Sequence, residues 1–345
     1  MKARIMTPSE AYLVDYPQAI ATAQRQFQTL WSAEEPGVEK DENDLRSELT
    51  QGELNGVTTV LKLFTQYELE IGEEFWTGKF KRLFPRHDMR RAAVACGFVE
   101  LFSHAPFYDL VNKTLNLATA EFYNAWREDP VLTERMAFVE SHLKTDDPYL
   151  CLAAFSFLEG VVLYSSFAYL KSFNMNGFGL IPHIAAGIDA SCKEENSHFE
   201  FSSWTYRQLM LEETQLGLID DARKAELAEV CRQIAETVYA HERLIVAKVF
   251  EQGGIRTITQ DALLAFVRNR IDVVLTALNC EPLFAEPEGE ISRWFYDALS
   301  LYKSADFFAN SQIQYVRTWN RADLRFDPDP DGPAANMMAI LQGDA

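Results

Sequence analysis

Cysteine is scarce in this chain: the five thiols, at Cys96, Cys151, Cys192, Cys231 and Cys280, are widely spaced and form no C-x-x-C pair. That spacing argues against a disulfide framework or a thiolate metal site and for free, mostly buried thiols in a reducing compartment. Positive charge is short as well, with 32 Lys and Arg against 51 Asp and Glu and a net charge of -19. Neither nucleic acid nor a membrane is therefore expected as a main partner. Glycine-rich phosphate loops, alternating strand patterns, hairpin signals and internal repeats are missing, which removes nucleotide-cradling and β architectures. No stretch reaches about 18 uninterrupted apolar residues, and the opening MKARIMTPSE lacks the apolar run of a signal peptide. A cytoplasmic location is the expectation.

What remains is helix. Apolar residues make up 48% of the 345, and 24 Phe with 13 Tyr demand a heavily packed interior. The periodicity predicts helices over 17–30, 51–80, 87–113, 117–126 (capped around Asn116), 134–143, 149–173, 182–209, 220–250, 260–278 and 294–310. Ala92, Ala93, Ala95, Cys96, Phe98 and Val99 read as an inward-facing surface of the third. Residues 1–325 are expected to form one domain, and 326–345 a flexible tail whose Met337, Met338, Ile340 and Leu341 suit docking to another protein.

Several carboxylates sit where carboxylates are costly. Glu68 falls on the buried side of the stripe formed by Val57, Leu61, Phe64 and Ile71, and Glu159 interrupts the otherwise apolar run from Tyr149 to Phe173. A buried carboxylate must be neutralised, paired or metal-bound. Glu195 and His198 are three residues apart and share a helical face, as do Glu100 and His104 at a spacing of four. Single carboxylates from two helices, joined by a carboxylate with an imidazole from two others, are the donor set of a dinuclear site in an all-α, ferritin-like helical bundle. Such donors suit iron or manganese. Either spacing leaves the pair on one face; at four, a local π-bulge can accommodate the extra residue, or Ser103 takes the imidazole's place and His104 is displaced outward.

With these residues in view, the chain resembles the small, radical-generating subunit of class I ribonucleotide reductase. The resemblance runs through WSAEE at 31–35, FTQYELEIG at 64–72, VELFSHAPFY at 99–108, the helix around Glu159, KEENSH at 193–198 and ADFFANSQIQY at 305–315. It implies six metal ligands, Glu68, Glu100, His104, Glu159, Glu195 and His198, holding dinuclear iron, manganese/iron or dimanganese. It further implies Tyr108 as the radical tyrosine, and Trp31 with Glu194 as the relay between the surface and His104. Dry surroundings from Leu163 and Phe167 would protect the radical.

The partners implied are a large (alpha) subunit, a second copy in a homodimer and, where a delivered oxidant replaces O2, a flavodoxin-like activator. Glu68 and Glu194 each stand where aspartate is customary. No tyrosine follows Tyr315, so either the relay takes another residue, or Tyr315 or Trp319 replaces the usual tail tyrosine, or the subunit is not competent for that transfer. A compact subunit with these departures suits a virus, whose host cytoplasm would then be the location. Two rival readings use the same bundle: a dimetal monooxygenase or ferroxidase, and a metal-free structural homologue.

Overall fold

Side chains rather than loops set this architecture. Thr50 opens a helix by a reciprocal cap: its hydroxyl accepts from the Glu53 amide at 3.2 Å, and Glu53 Oε2 accepts from the Thr50 amide at 2.8 Å. Asp129, Asp147, Asp220 and Thr259 cap four later helices through their side chains. The computed structural model describes residues 2–297, and among these no strand occurs.

The main helices are α1 (Pro17–Thr29), α2 (Gln51–Leu69, continuing as the wider π-helical Glu70–Phe80), α3 (His87–Val99, a π-helical turn Glu100–His104, then Ala105–Thr114) and α4 (Pro130–Lys144). They continue with α5 (Pro148–Phe157, a π-helical turn Leu158–Val162, then Tyr164–Ser172), α6 (Pro182–Gln215), α7 (Asp221–Phe250) and α8 (Gln260–Ala277). Helix α2 packs on α3, α5 on α6, and α7 on α2, α5 and α8, while α1 lies across α3 and α6. The four helices carrying the candidate ligands thus face one interior.

Helix α5 is long and apolar enough to cross a membrane, but 94% of its most apolar window is buried inside the protein. Its apolar surface is consumed by the bundle. The close packing shows at Gly160, where an added Cβ would lie 2.6 Å from Val274 Cγ2 and 2.9 Å from the Phe199 ring.

Most expected helices are found with shifted ends. The short helix expected over 117–126 spans only Ala120–Asn124 and is capped by Thr119, not Asn116. Asn116 instead adopts a left-handed backbone (φ 59°) just after α3. Phe98 was expected inside the bundle, yet it is 41% exposed, because its step along α3 turns it away from the buried Cys96, Gly97 and Val99. A helix beginning at residue 290 continues to 297. The remainder of the expected last helix, the motif at 305–315, Tyr315, Trp319, the domain limit at 325 and the tail lie outside the described residues.

A buried ion pair ties α4 to α7. Arg135 Nη2 donates to Glu242 Oε1 at 2.8 Å, and the Ser165 hydroxyl of α5 donates a 2.5 Å hydrogen bond to Glu242 Oε2. Removing one partner strands the other charge in an apolar interior. We expect Glu242→Ala to cost about 3–5 kcal/mol of stability, measured by denaturant unfolding. A loss within experimental error would mean the pair is dispensable.

Candidate metal centre

Glu68, Glu100, His104, Glu159, Glu195 and His198 all have no exposed surface. The structure brings them into two overlapping groups, Glu68, Glu100, His104 and Glu195, and Glu100, Glu159, Glu195 and His198, with donor atoms in each group within 4.8 Å of one another. Glu100 and Glu195 belong to both groups and lie between the two imidazoles. His104 Nδ1 lies 2.7 Å from Glu100 Oε2 and 3.0 Å from Glu195 Oε1, and His198 Nδ1 lies 2.7 Å from Glu100 Oε1 and 3.3 Å from Glu195 Oε2. Glu68 and Glu159 close the two ends, 3.8 Å and 3.7 Å from the nearer imidazole.

Backbone widening places several of these groups. Glu100 and His104 begin and end one π-helical turn, Glu159 lies in another, and Glu68 stands two residues before the π-helical segment that opens at Glu70. The extra residue in α3 brings His104 inward despite the spacing of four. Ser103 does not take its place: the Ser103 hydroxyl donates to the Trp31 carbonyl at 2.7 Å.

The donors fit a pair of cations. Both oxygens of Glu68 and Glu195, Glu100 Oε1, Glu159 Oε2 and both nitrogens of His198 are buried without a well-aligned hydrogen bond, although several lie in close nitrogen–oxygen contact. Orphaned atoms at this density are rare in protein interiors. With protein atoms alone, burial pushes the Glu68 and Glu159 carboxyls well above the usual range, reinforced by Glu100 at Glu68 and by Glu195 at Glu159. Burial opposes charge at Glu100 too, but His198 and His104 hold it below the usual range. Burial likewise disfavours imidazolium at His104 and His198. Their carboxylate neighbours, with Cys96 contributing at His198, outweigh it and raise both well above the usual histidine range. Protons therefore supply the compensating charge whenever cations do not.

His104 Nε2 sits 2.8 Å from Glu194 Oε2, an oxygen that also accepts from Trp31 Nε1 at 2.9 Å. Thr29 Oγ1 donates to the other Glu194 oxygen at 3.1 Å. A proton held on Nε2 leaves Nδ1 as the donor atom facing the cluster. Tyr108 is fully buried and its hydroxyl, with Ser191 nearby, makes no well-aligned hydrogen bond. Its ring packs 4.5 Å from Phe64 and 5.2 Å from Phe107, centroid to centroid, and Phe64 in turn meets Phe167 at 5.7 Å. Burial and the charge of Glu68 raise its phenol well above the usual value.

Trp76 was not anticipated from the sequence. It donates from Nε1 to Glu159 Oε1 at 2.8 Å, and its ring lies 5.5 Å from that of His198. The available signal was its position eight residues, about two helical turns, beyond Glu68.

The family model for the ribonucleotide reductase small chain matches residues 10–290. A probable ribonucleoside-diphosphate reductase small subunit from Invertebrate iridescent virus 3 is 23% identical over 309 residues, covering 83% of this chain and 78% of that protein. The beta subunit from Mycobacterium leprae is 27% identical over 218 residues, 62% of this chain and 63% of that one. Among solved structures, the dimanganese(II) NrdF of Streptococcus sanguinis superposes with a TM-score of 0.71 at 16% identity, covering 84% of this chain and 99% of that one. The Rnr4 homodimer structure from Saccharomyces cerevisiae gives a TM-score of 0.69 at 15% identity, covering 87% and 93%.

This chain belongs to the class I ribonucleotide reductase small-chain family and has its all-α, ferritin-like fold. It is the small subunit of an oxidoreductase of deoxyribonucleotide synthesis, with a buried carboxylate and histidine cluster suited to a dinuclear metal centre.

Cation loading must displace the protons that otherwise balance the cluster. In a calorimetric titration with Mn2+, uptake of about two equivalents with net proton release is expected, tightening from about pH 6 to about pH 8. Binding that ignores pH, or none, would contradict the assignment.

Proposed function

We propose that this chain generates a tyrosyl radical at Tyr108 and passes the oxidising equivalent to a large subunit through His104, Glu194 and Trp31. The observation that carries the proposal is the continuous contact from the cluster outward: His104 Nε2 to Glu194 Oε2 at 2.8 Å, then Glu194 Oε2 to Trp31 Nε1 at 2.9 Å. In this reading Glu68, Glu100, His104, Glu159, Glu195 and His198 hold dinuclear iron, manganese/iron or dimanganese. When bound, the metal pair supplies the oxidising power for removing one electron from Tyr108.

The protein's own part is positioning and exclusion. The Tyr108 hydroxyl has Ser191 beside it and no well-aligned hydrogen bond, and Glu68 is the carboxylate acting most strongly on it. Phe64, Phe107 and Phe167 are each fully or almost fully buried and leave no exposed route for water beside the ring. Glu194 orients His104 and accepts the indole proton of Trp31 when that ring gives up an electron. Glu68, one methylene longer than the customary aspartate, bears on the choice between iron and manganese.

Helix α3 offers a surface for a second copy. Val94, Phe98 and Phe102, spaced by four, are 48%, 41% and 61% exposed, and the two phenylalanine rings stack at 4.5 Å. An exposed apolar stripe of this kind is a liability unless covered. A reducing, cytoplasmic setting is supported by the free state of all five cysteines.

Loaded with iron or manganese and exposed to oxygen, the protein should give a tyrosyl paramagnetic resonance signal that Tyr108→Phe abolishes while retaining about two metal equivalents. Persistence of the signal would move the radical elsewhere; turnover of a small substrate with no radical at all would favour a monooxygenase. For the second copy, Phe98→Glu combined with Phe102→Glu should give a monomer in sedimentation. An unchanged dimer would place the interface on another face.

A further inference from the structure

The cluster has a second aromatic contact, on the side away from Trp31. Trp76 is fully buried and donates its indole N–H to Glu159 Oε1 at 2.8 Å. From it, rings continue in one direction. Trp76 meets Phe201 at 6.0 Å with the planes 22° apart, and Phe201 meets Trp204 at 5.8 Å and 14°. Trp204 then meets Tyr16 edge-on at 6.1 Å. Phe201, Trp204 and Glu212 follow His198 along α6 at helical spacing, so the ligand-bearing helix itself carries the series.

The far end is built like the near end. The Tyr16 hydroxyl donates to Glu212 Oε1 at 2.6 Å, as the Trp76 indole donates to Glu159. Trp204 is half-buried, and with Tyr16 and Glu212 it lines an open surface cavity of about 560 Å³. Each of these two oxidisable end groups therefore has a carboxylate within proton-transfer reach. Between them the rings follow one another at centroid distances of 6.0, 5.8 and 6.1 Å, the first two contacts stacked and the last edge-on.

We propose that Trp76, Trp204 and Tyr16 form an escape route by which an oxidising equivalent not taken by Tyr108 leaves the cluster for the surface. The proposal rests on the radical-generating reading above, which supplies the oxidant. Once the six ligands hold an oxidised metal pair, Trp76 would supply it one electron, and Glu159 Oε1, 2.8 Å from Nε1, would take the indole proton. Trp204 returns an electron to Trp76 across Phe201, and the proton goes back from Glu159 to Nε1. Tyr16 then reduces the Trp204 ring, giving its phenol proton to Glu212 Oε1. A thiol in solution restores Tyr16 by supplying the electron, while the phenol proton returns from Glu212. The thiol's own proton is released to solvent, and two such thiyl radicals combine to a disulfide. Tyr108 remains the productive site, and Trp76 is a relay residue that limits damage when that site is filled or missing.

The test uses the full chain carrying Tyr108→Phe, loaded with Fe2+ and exposed to oxygen without thiol. Freeze-quenched paramagnetic resonance should show a tryptophan radical whose hyperfine structure narrows with ring-deuterated tryptophan. Peptide mass spectrometry should find oxygen addition at Trp204 and Tyr16 raised severalfold over the unsubstituted protein. Adding Trp76→Phe should return both to background when each is expressed per equivalent of iron bound. Trp204→Phe, remote from the ligands, should instead prolong the tryptophan radical severalfold, which a purely structural role for these rings would not do.

Surface oxidation indifferent to Trp76→Phe, or a radical lifetime indifferent to Trp204→Phe, overturns the escape route while leaving the Tyr108 reading intact. Failure of the unsubstituted protein to form any radical overturns both.

Discussion

Four carboxylates in an apolar interior are the constraint around which this protein is built. Each would cost several kcal/mol if buried charged and alone, and mutual repulsion between Glu100 and Glu195 adds to that. Two cations between them would convert the penalty into an attraction, and Glu100 and Glu195, which belong to both donor groups, are placed to serve both. Among protein atoms only the two imidazoles offer comparable compensation, which is why both are drawn toward the protonated form.

The surrounding helices serve this constraint. The π-helical turns in α3 and α5, and the wide continuation of α2, occur at or beside Glu100, Glu159 and Glu68. In α3 the widened turn runs from Glu100 to His104 and so fixes how these two ligand candidates are turned relative to each other. Widened turns weaken local hydrogen bonding, so they persist where tertiary packing or a bound group compensates them. Two hydrogen-bonded carboxylates extend this outward: Glu194 lies between His104 and Trp31, and Glu159 between the cluster and Trp76. Both couple a ligand's orientation to an aromatic ring.

Much of the cluster was legible in the sequence because carboxylates inside apolar periodicity have few physical explanations. Glu159 in the run from Tyr149 to Phe173 is the clearest instance, and Glu68 follows from its place among Val57, Leu61, Phe64 and Ile71. The spacing of Glu100 and His104 left room for a π-bulge, which the structure contains. Trp76 was not legible, since a tryptophan in a buried stripe gives no sign that its N–H finds a ligand from a helix more than 80 residues away in sequence, 83 in this case. Phe98 misled for the opposite reason: hydrophobicity alone does not separate a core face from a face awaiting a partner. The cap at Thr119 was missed because Asn116 is an equally good local stop signal, here used for a left-handed turn after α3.

The most direct test of the central claim is anomalous scattering at the iron and manganese edges from a crystal of the metal-loaded protein. Two peaks are predicted, both bordered by Glu100 and Glu195, one completed by Glu68 and His104 and the other by Glu159 and His198. A loaded crystal with no ion near these side chains, or with Glu159 turned away from Glu195, would contradict it.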